Sequence, residues 1–421
     1  MGKFSYESRA ERVRADAVSF KGNRFDRIDS QDSLNRTVRY LQDGKLGTAS
    51  GSKPDSEKEL IEQAAELAKY GSPHDAEFAG RADMREMRLC DDARLSPEQM
   101  IEKAQGLVDS LRALDPRIVA GARLSSNFME VELKTTEGFD AGYKKSVWSA
   151  TASIELMRGE DLLAIYKGEL SLSPGFDLGA LKDRIAWTLE RAMETVPFEA
   201  GAYPVIFSPG ESGYIINPIL ASLNGMAIQR RVSPFTEKLG ETAFDERLNI
   251  YDDATQDGSW ASIPFDLEGT PTRRLDLVKD GRLSDIILNR KVGKQLGKPS
   301  TGNAKAQGPA ANFVKIDGGA KPLEELIKSI DYGLLIDGSM GAWSGNPYAG
   351  IVTGTISMGL KIEKGKIAGR VKDCMYTVNA FEHFKKHLLE LSSERDEAQT
   401  MFGSAASLPY IMLDEVVISA K

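Results

Sequence analysis

TVRYLQDGKLGTAS (37–50), followed closely by DSEKELIEQAAELAKYG (55–71), decides the class of fold. The first stretch reads as a strand, a turn at Asp43-Gly44 and a returning strand, because an Asp-Gly pair supplies the positive φ that a tight hairpin demands. The second reads as an amphipathic helix, with Ser56 and Glu59 as a capping box and Gly71 as its stop. Working outward, LSPEQMIEKAQGLVDSLRAL (95–114) is a second helix. Ser96 is its N-cap, Pro97 its first residue, and Gln99 completes the box. RIVAGARLSS, FMEVELKTT, YKKSVWSATASIELM and LLAIYKGELS, between 117 and 171, are strand-like. FDLGALKDRIAWTLERAMET (176–195) is a third helix. A sheet with helices segregated from it is an α+β domain.

VPFEAGAYP (196–204) is interrupted by Pro and Gly, and it places the domain boundary between residues 1–200 and 201–421. Beyond it Gly becomes frequent and short strands dominate. Hairpin turns recur at LVKDGRLSD (277–285) and KIEKGKIAG (361–369). Two short helices interrupt, at 322–330 and from VNAFEHFKKHLLEL, and PYIMLDEVVIS (409–419) closes the chain as an apolar strand. The second domain reads as mostly antiparallel β, barrel-like, with short helices.

The 421 residues exceed the size at which one core keeps growing, so two domains are expected. The start, MGKFSYESRAERVRADAV, is charged throughout and has no apolar signal core. No apolar run approaches the ~20 residues that cross a bilayer. Two unclustered cysteines, Cys90 and Cys374, fit a reducing cytoplasm. A net charge of −8, with no dense basic tract, argues against nucleic-acid binding.

Candidate chemistry is sparse. Two of the three histidines, His383 and His387, lie four apart. That spacing aligns two imidazoles on a helix, as in helical zinc motifs. The opposite face carries Phe381, Phe384 and Leu388, so the pair reads foremost as the polar side of a solvated helix. The remaining histidine, His74, lies in a loop of the first domain. No nucleophile elbow and no phosphate-cradling Walker loop is present. The Gly-rich stretches TGNAKAQGPAAN (301–312) and GSMGAWSGNPYAG (338–350) read either as turns and bulges or as a groove that another backbone can approach closely.

Several segments together resemble the TldD/TldE family, also called PmbA or modulator of DNA gyrase proteins. They are PVIFSPGESGYI (204–215), Arg230-Arg231, YDDAT (251–255), FDLEGTPTRRLDLVKDGRL (265–283), STGNAKAQGPAANF (300–313) and the 344–367 block. The resemblance covers nearly the whole chain. In the catalytic TldD branch a helix carries HExxxH, two histidines of which bind zinc, and a C-terminal cysteine is the third ligand. The resemblance places Asn217, Pro218 and Ser222 at those histidine, glutamate and histidine positions, and no cysteine occurs in 401–413. Amide, pyrrolidine and hydroxyl form a poor zinc set. Asn217 and Pro218 then read as the cap and first residue of a helix ending near Gly225. The pattern resembles TldE/PmbA, which implies a cytoplasmic, zinc-free, non-catalytic subunit of a two-component metalloprotease. Zinc is then expected only in a TldD-like partner. Peptide substrates are implied, with Asn312, Gly345, Asn346 and Gly350 as contact candidates, and a homodimer is expected in isolation. Two alternatives stay open: an active peptidase with its metal at His383/His387, and a stand-alone peptide-binding scaffold.

Overall fold

A computed structural model describes residues 4–53, 56–74, 77–400 and 404–420. Asp55, at the expected start of the first helix, Asp75-Ala76 and Met401-Phe402-Gly403 lie outside the described residues. The chain divides into two compact units. Unit 1 comprises 1–182, 254–273 and 288–308, and unit 2 comprises 183–253, 274–287 and 309–421. The partition is interleaved, where the sequence reading has one linear break at 200/201. Two stretches from the second half of the chain belong to the first unit, and linear texture does not register such returns.

In unit 1 a seven-stranded antiparallel sheet has the order β4-β3-β2-β1-β5-β6-β7. The strands are β1 (Phe4–Lys21), β2 (Arg24–Gln42), β3 (Lys45–Gly51), β4 (Ser72–Pro73), β5 (Val119–Thr135), β6 (Asp140–Arg158) and β7 (Asp161–Ser171). The β2–β3 hairpin turns at Asp43 (φ 49°) and Gly44 (φ 72°), as the Asp-Gly pair requires. Helix α1 (Glu57–Ala68) packs on β2 and β3, and α2 (Pro97–Arg112) packs on β1 and β5. In α2 the expected capping box forms: Ser96 Oγ accepts from Gln99 N, and Gln99 Oε1 accepts from Ser96 N. The box expected at Ser56 does not form. Its backbone sits at φ −83°, ψ 1° rather than in the extended conformation of a capping residue, and its Oγ donates to Lys53 O at 2.7 Å. The register that pairs Ala120 with Ile154 puts alternating buried residues of β5 and β6 on one face, including Ala122, Leu124, Ala150 and Ala152. Helix α3 (Leu178–Ala192) crosses the division between the units.

The chain continues through β8 (Gly201–Phe207), α4 (Pro209–Ser222), α5 (Gly225–Gln229), β9 (Ile250–Asp252), β10 (Leu275–Lys279) and β11 (Arg282–Leu283). Helix α6 (Arg290–Gln295) and the β12 (Ala304–Lys305)/β13 (Gly308–Pro309) hairpin follow, and α6 and β12 belong to unit 1. Unit 2 resumes with β14 (Phe313–Ile316), α7 (Leu323–Lys328), β15 (Tyr332–Met340), a 3-10 turn at Pro347–Ala349, β16 (Ile351–Glu363), β17 (Lys366–Val371) and β18 (Cys374–Asn379). It ends with α8 (Ala380–Lys386), β19 (Leu388–Gln399) and β20 (Ala405–Ala420).

Five strands of this unit, β8-β15-β16-β18-β20, close on themselves because β20 pairs back to β8. Closure removes the open edges that a sheet otherwise exposes. A bulge at Glu415 (φ 55°) kinks β20 between its pairings at Leu413 and Val416. One face of these strands is apolar, with Val205, Phe207, Leu334, Ile336, Ile411 and Leu413 buried in register and Phe207 edge-on to Tyr376 at 5.3 Å. The mostly antiparallel, barrel-like reading therefore holds, with parallel pairings at β8–β15 and β14–β20. Among the described residues no helix is long and apolar enough to cross a membrane.

Candidate functional site

Helix α4 is the element on which the sequence reading turns. It starts at Ser208-Pro209, one cap-and-proline pair earlier than expected, and runs through Pro218 to Ser222. Asn217 is therefore not an N-cap and Pro218 is not a first residue. The second cap is Asn224, whose Oδ1 accepts from Met226 N at 2.9 Å while its Nδ2 donates to Pro309 O at 2.6 Å. Gly225 opens α5 rather than closing α4. An interior proline forfeits one helical hydrogen bond and costs ~3 kcal/mol or more. Burial of Ile215, Ile216 and Ile219 offsets it, at ~2 kcal/mol for each apolar side chain. A helix buried on most sides has no amphipathic period, so its start is hard to read from sequence.

Residues five apart on an α-helix are separated by about 140° around its axis. Asn217 and Ser222 accordingly face different ways: Asn217 is half-buried, while Ser222 is 0% exposed and its Oγ has no hydrogen-bond partner. Pro218 is buried on the Ser222 side. This donor set does not fit a zinc ion, which takes imidazole, thiolate or carboxylate ligands.

Glu211 shares that buried side, and the sequence reading missed it. It is 4% exposed; Oε1 accepts from Ser339 N at 2.9 Å and Oε2 from Ser339 Oγ at 2.6 Å. Tyr376 Oη donates to Oε2 at 3.4 Å. Burial raises the Glu211 carboxyl above the usual range, and the Ser339 donors pull it partway back. The result is a polar latch between the first turn of α4 and strands β15 and β18. A lone acid inside an apolar helix, PGESGYIINPILAS, was the available signal.

The 341–350 loop packs beside α4, with Tyr214 and Trp343 at 6.1 Å between ring centres. Asn346 Oδ1 accepts from Tyr348 N at 3.0 Å and starts the 3-10 turn. Gly345 and Asn346 are exposed, as are Trp343 (46%) and Met340 (62%). Gly350 is buried at φ 75°, and a Cβ there would sit 2.5 Å from Phe381 Cδ2. Asn312 is only 7% exposed, and its backbone N donates to Asp252 Oδ1 at 2.9 Å. Of the four peptide-contact candidates, Gly345 and Asn346 are thus reachable, while Gly350 and Asn312 serve the interior. The loop presents an indole, a thioether and turn backbone beside α4. Among the described residues no Ser-His or Cys-His pair is brought together there.

The helix expected to carry His383 and His387 on a solvated face ends at Lys386, and Leu388 begins β19. His383 is 8% exposed; Nδ1 lies 2.8 Å from Asn379 O and Nε2 lies 3.3 Å from Glu415 O. His387 is the C-cap, half-buried, with its ring centre 5.4 Å from that of His383. The pair is neither a solvated face nor an open ligand set, because both His383 nitrogens face carbonyl oxygens. Strand pairing of Leu388 with Leu413 decided this, and it is invisible to helical periodicity.

Comparisons with known proteins agree with this architecture. Residues 200–420 match the family model described as the PmbA/TldA metallopeptidase C-terminal domain. The chain is 25% identical over 376 residues to the metalloprotease PmbA of Escherichia coli O157:H7, covering 82% of this chain and 80% of that one. It is 25% identical over 413 residues to the metalloprotease PmbA homolog of Haemophilus influenzae, covering 91% and 87%. The crystal structure of TldE from Thermococcus kodakarensis superposes with a TM-score of 0.92 at 24% identity, covering 99% of this chain and 97% of that one, which shows the shared fold. The family model covers more than half of the chain, and this chain belongs to the PmbA/TldD/TldE family of metallopeptidase-like proteins.

Proposed function

We propose that this chain is a non-catalytic, peptide-binding subunit that works with an HExxxH-bearing member of the same family, which supplies the zinc and the general base. The observation that carries the reading is α4: proline stands where the resemblance puts the glutamate, and an amide and a hydroxyl, at Asn217 and Ser222, stand where it puts the imidazoles. A proline cannot accept a proton from water, so this helix has no general base at that position. Support for peptide contact comes from the exposed Trp343, Met340, Gly345 and Asn346 beside α4. A strand edge or turn that offers backbone donors and acceptors binds extended peptides with little dependence on their sequence.

Reconstitution tests the reading. The chain, an HExxxH homologue and the two mixed are assayed on an unfolded polypeptide. The expected outcome is hydrolysis by the mixture that is chelator-sensitive and exceeds that of the homologue alone, with none from this chain. Chelator-sensitive hydrolysis by this chain alone refutes it. A mixture no faster than the homologue, with no co-elution, refutes the partnership. A homodimer in isolation and cytoplasmic residence belong to the same proposal.

A further inference from the structure

A basic pocket in unit 1 shares no residue with α4 or the 341–350 loop. It has a volume of about 380 Å3 and is lined by Glu77, Thr270, Arg290, Lys294, Lys298 and Ser300, with Pro299 at its side. Three cations face one carboxylate, in a chain whose overall charge is −8. Local chain geometry assembles them. Arg290 and Lys294 are one turn apart on α6, which Asn289 caps through Val292 N at 2.9 Å. The chain then reverses. Lys298 N donates to Gly293 O at 2.8 Å, and a Cβ at Gly293 would meet Lys298 O at 2.6 Å, so the close return needs glycine. That return brings Lys298 and Ser300 to the same pocket as Arg290.

Thr270 arrives from the other inserted stretch. Asp266 Oδ1 accepts from Thr270 N and Glu268 N at 2.9 Å each, and Asp266 Oδ2 accepts from Ala304 N at 2.8 Å, which ties the 266–270 loop to β12. Glu268 Oε2 accepts from Arg290 N at 2.8 Å and fixes the start of α6. Two polar atoms of the pocket residues, Thr270 Oγ1 and Arg290 Nε, are buried without a hydrogen-bond partner. Buried donors are normally paired, and each unpaired one costs ~1–3 kcal/mol. A guanidinium donor, a hydroxyl and two ammonium groups around one cavity match the acceptor-rich periphery of an oxyanion. The buried Glu7 feels the charge of Arg290 and does not line the cavity.

We propose that this pocket binds an oxyanion, a carboxylate or a phosphate, through Arg290, Lys294, Lys298 and Thr270. The site is separate from the subunit reading, since its residues and the α4 helix belong to different units and either can fail alone. The test is isothermal titration of the full chain at low salt with inorganic phosphate, with N-acetyl-dialanine and with the amide of that peptide. Binding of phosphate alone assigns a phosphate source, and binding of the free acid but not its amide assigns a peptide C-terminus. Either affinity falls as salt rises. Lys298→Ala weakens it about tenfold, the loss of one charged hydrogen bond, without changing the melting curve. Glu77→Gln tightens it. Arg290→Gln repeats the loss if that variant folds. The proposal is overturned if neither phosphate nor free acid gives heat at tens of millimolar, if the amide binds as well as the acid, or if Lys298→Ala leaves the affinity unchanged.

Discussion

Replacing Gly350 by alanine probes the seat of the candidate peptide loop. Gly350 has φ 75°, in the left-handed region, which costs an alanine ~1–2 kcal/mol. The new Cβ would lie 2.5 Å from Phe381 Cδ2, 2.8 Å from Cε2 and 3.0 Å from Cγ. The Phe381 ring cannot retreat freely, since it packs edge-on against Phe235 at 5.1 Å. Forcing it aside adds ~1–3 kcal/mol of overpacking. The sum is ~2–5 kcal/mol, localised where Ala380 N donates to Gly350 O at 2.7 Å. A chain of two units does not unfold in one step, so a global melting curve would dilute the effect. Hydrogen exchange read by mass spectrometry on peptides covering 341–352 and 380–386 resolves it. Protection in both segments falls by at least tenfold, the equivalent of ~1.4 kcal/mol, and the quantum yield of Trp343 changes. Unchanged exchange in both segments would refute the reasoning, because the predicted strain would then be absent. Gly106→Ala supplies a control of opposite sign: the residue is exposed in the middle of α2 with nothing within 4 Å of its added Cβ. Stability of that helix rises by ~0.5–1 kcal/mol, and a loss in urea unfolding contradicts the expectation.

Other outcomes follow from the same geometry. Burial pushes the Asp266 carboxyl up to about 6, against its three backbone donors. Its folded value exceeds the unfolded one, so the contribution is present in full below about pH 4 and is lost as pH rises through 6, by ~3 kcal/mol at most. Asp266→Asn removes that part of the slope between pH 4 and 7 in urea unfolding, and an identical slope in both proteins counts against it. His383→Ala opens a buried gap and leaves Asn379 O and Glu415 O without their ring partner. It costs ~2–4 kcal/mol and leaves the metal content unchanged, so a loss of bound zinc in elemental analysis overturns the reading. Writing the family motif back as Asn217→His, Pro218→Glu and Ser222→His does not create a stoichiometric zinc site, because the third ligand that the resemblance implies, a C-terminal cysteine, has no counterpart in 404–413. One zinc per chain after dialysis sinks that expectation.

Short-range chemistry is legible in the amino-acid sequence itself. The turns at Asp43-Gly44, Asp280-Gly281 and Lys364-Gly365 all show positive φ at both residues, and the Ser96 box forms as spelled. Each depends on residues within four positions of one another, so sequence alone states the whole interaction. The apolar strand at 409–419 is likewise evident, as is the α+β class. At the site, the sequence singles out the residues of helix α4 and the Gly-rich loop but does not tell which side chains are reachable. Asn312 and Gly350 face the interior, and Glu211 was overlooked.

The features that sequence leaves open share one cause, contact between residues remote in the chain. The strands Phe4–Lys21 and Arg24–Gln42 run through many charged residues with no sustained two-residue apolar period, and they exist because each finds a partner ladder. Residues 254–273 and 288–308 join unit 1 across a long gap in the chain. His383 is buried because Glu415, 32 residues away, turns a carbonyl toward it from the bulge in β20. Local propensities act over a turn or two of backbone. Burial and closure are set by which distant surfaces meet, and the sequence reports those only through their consequences.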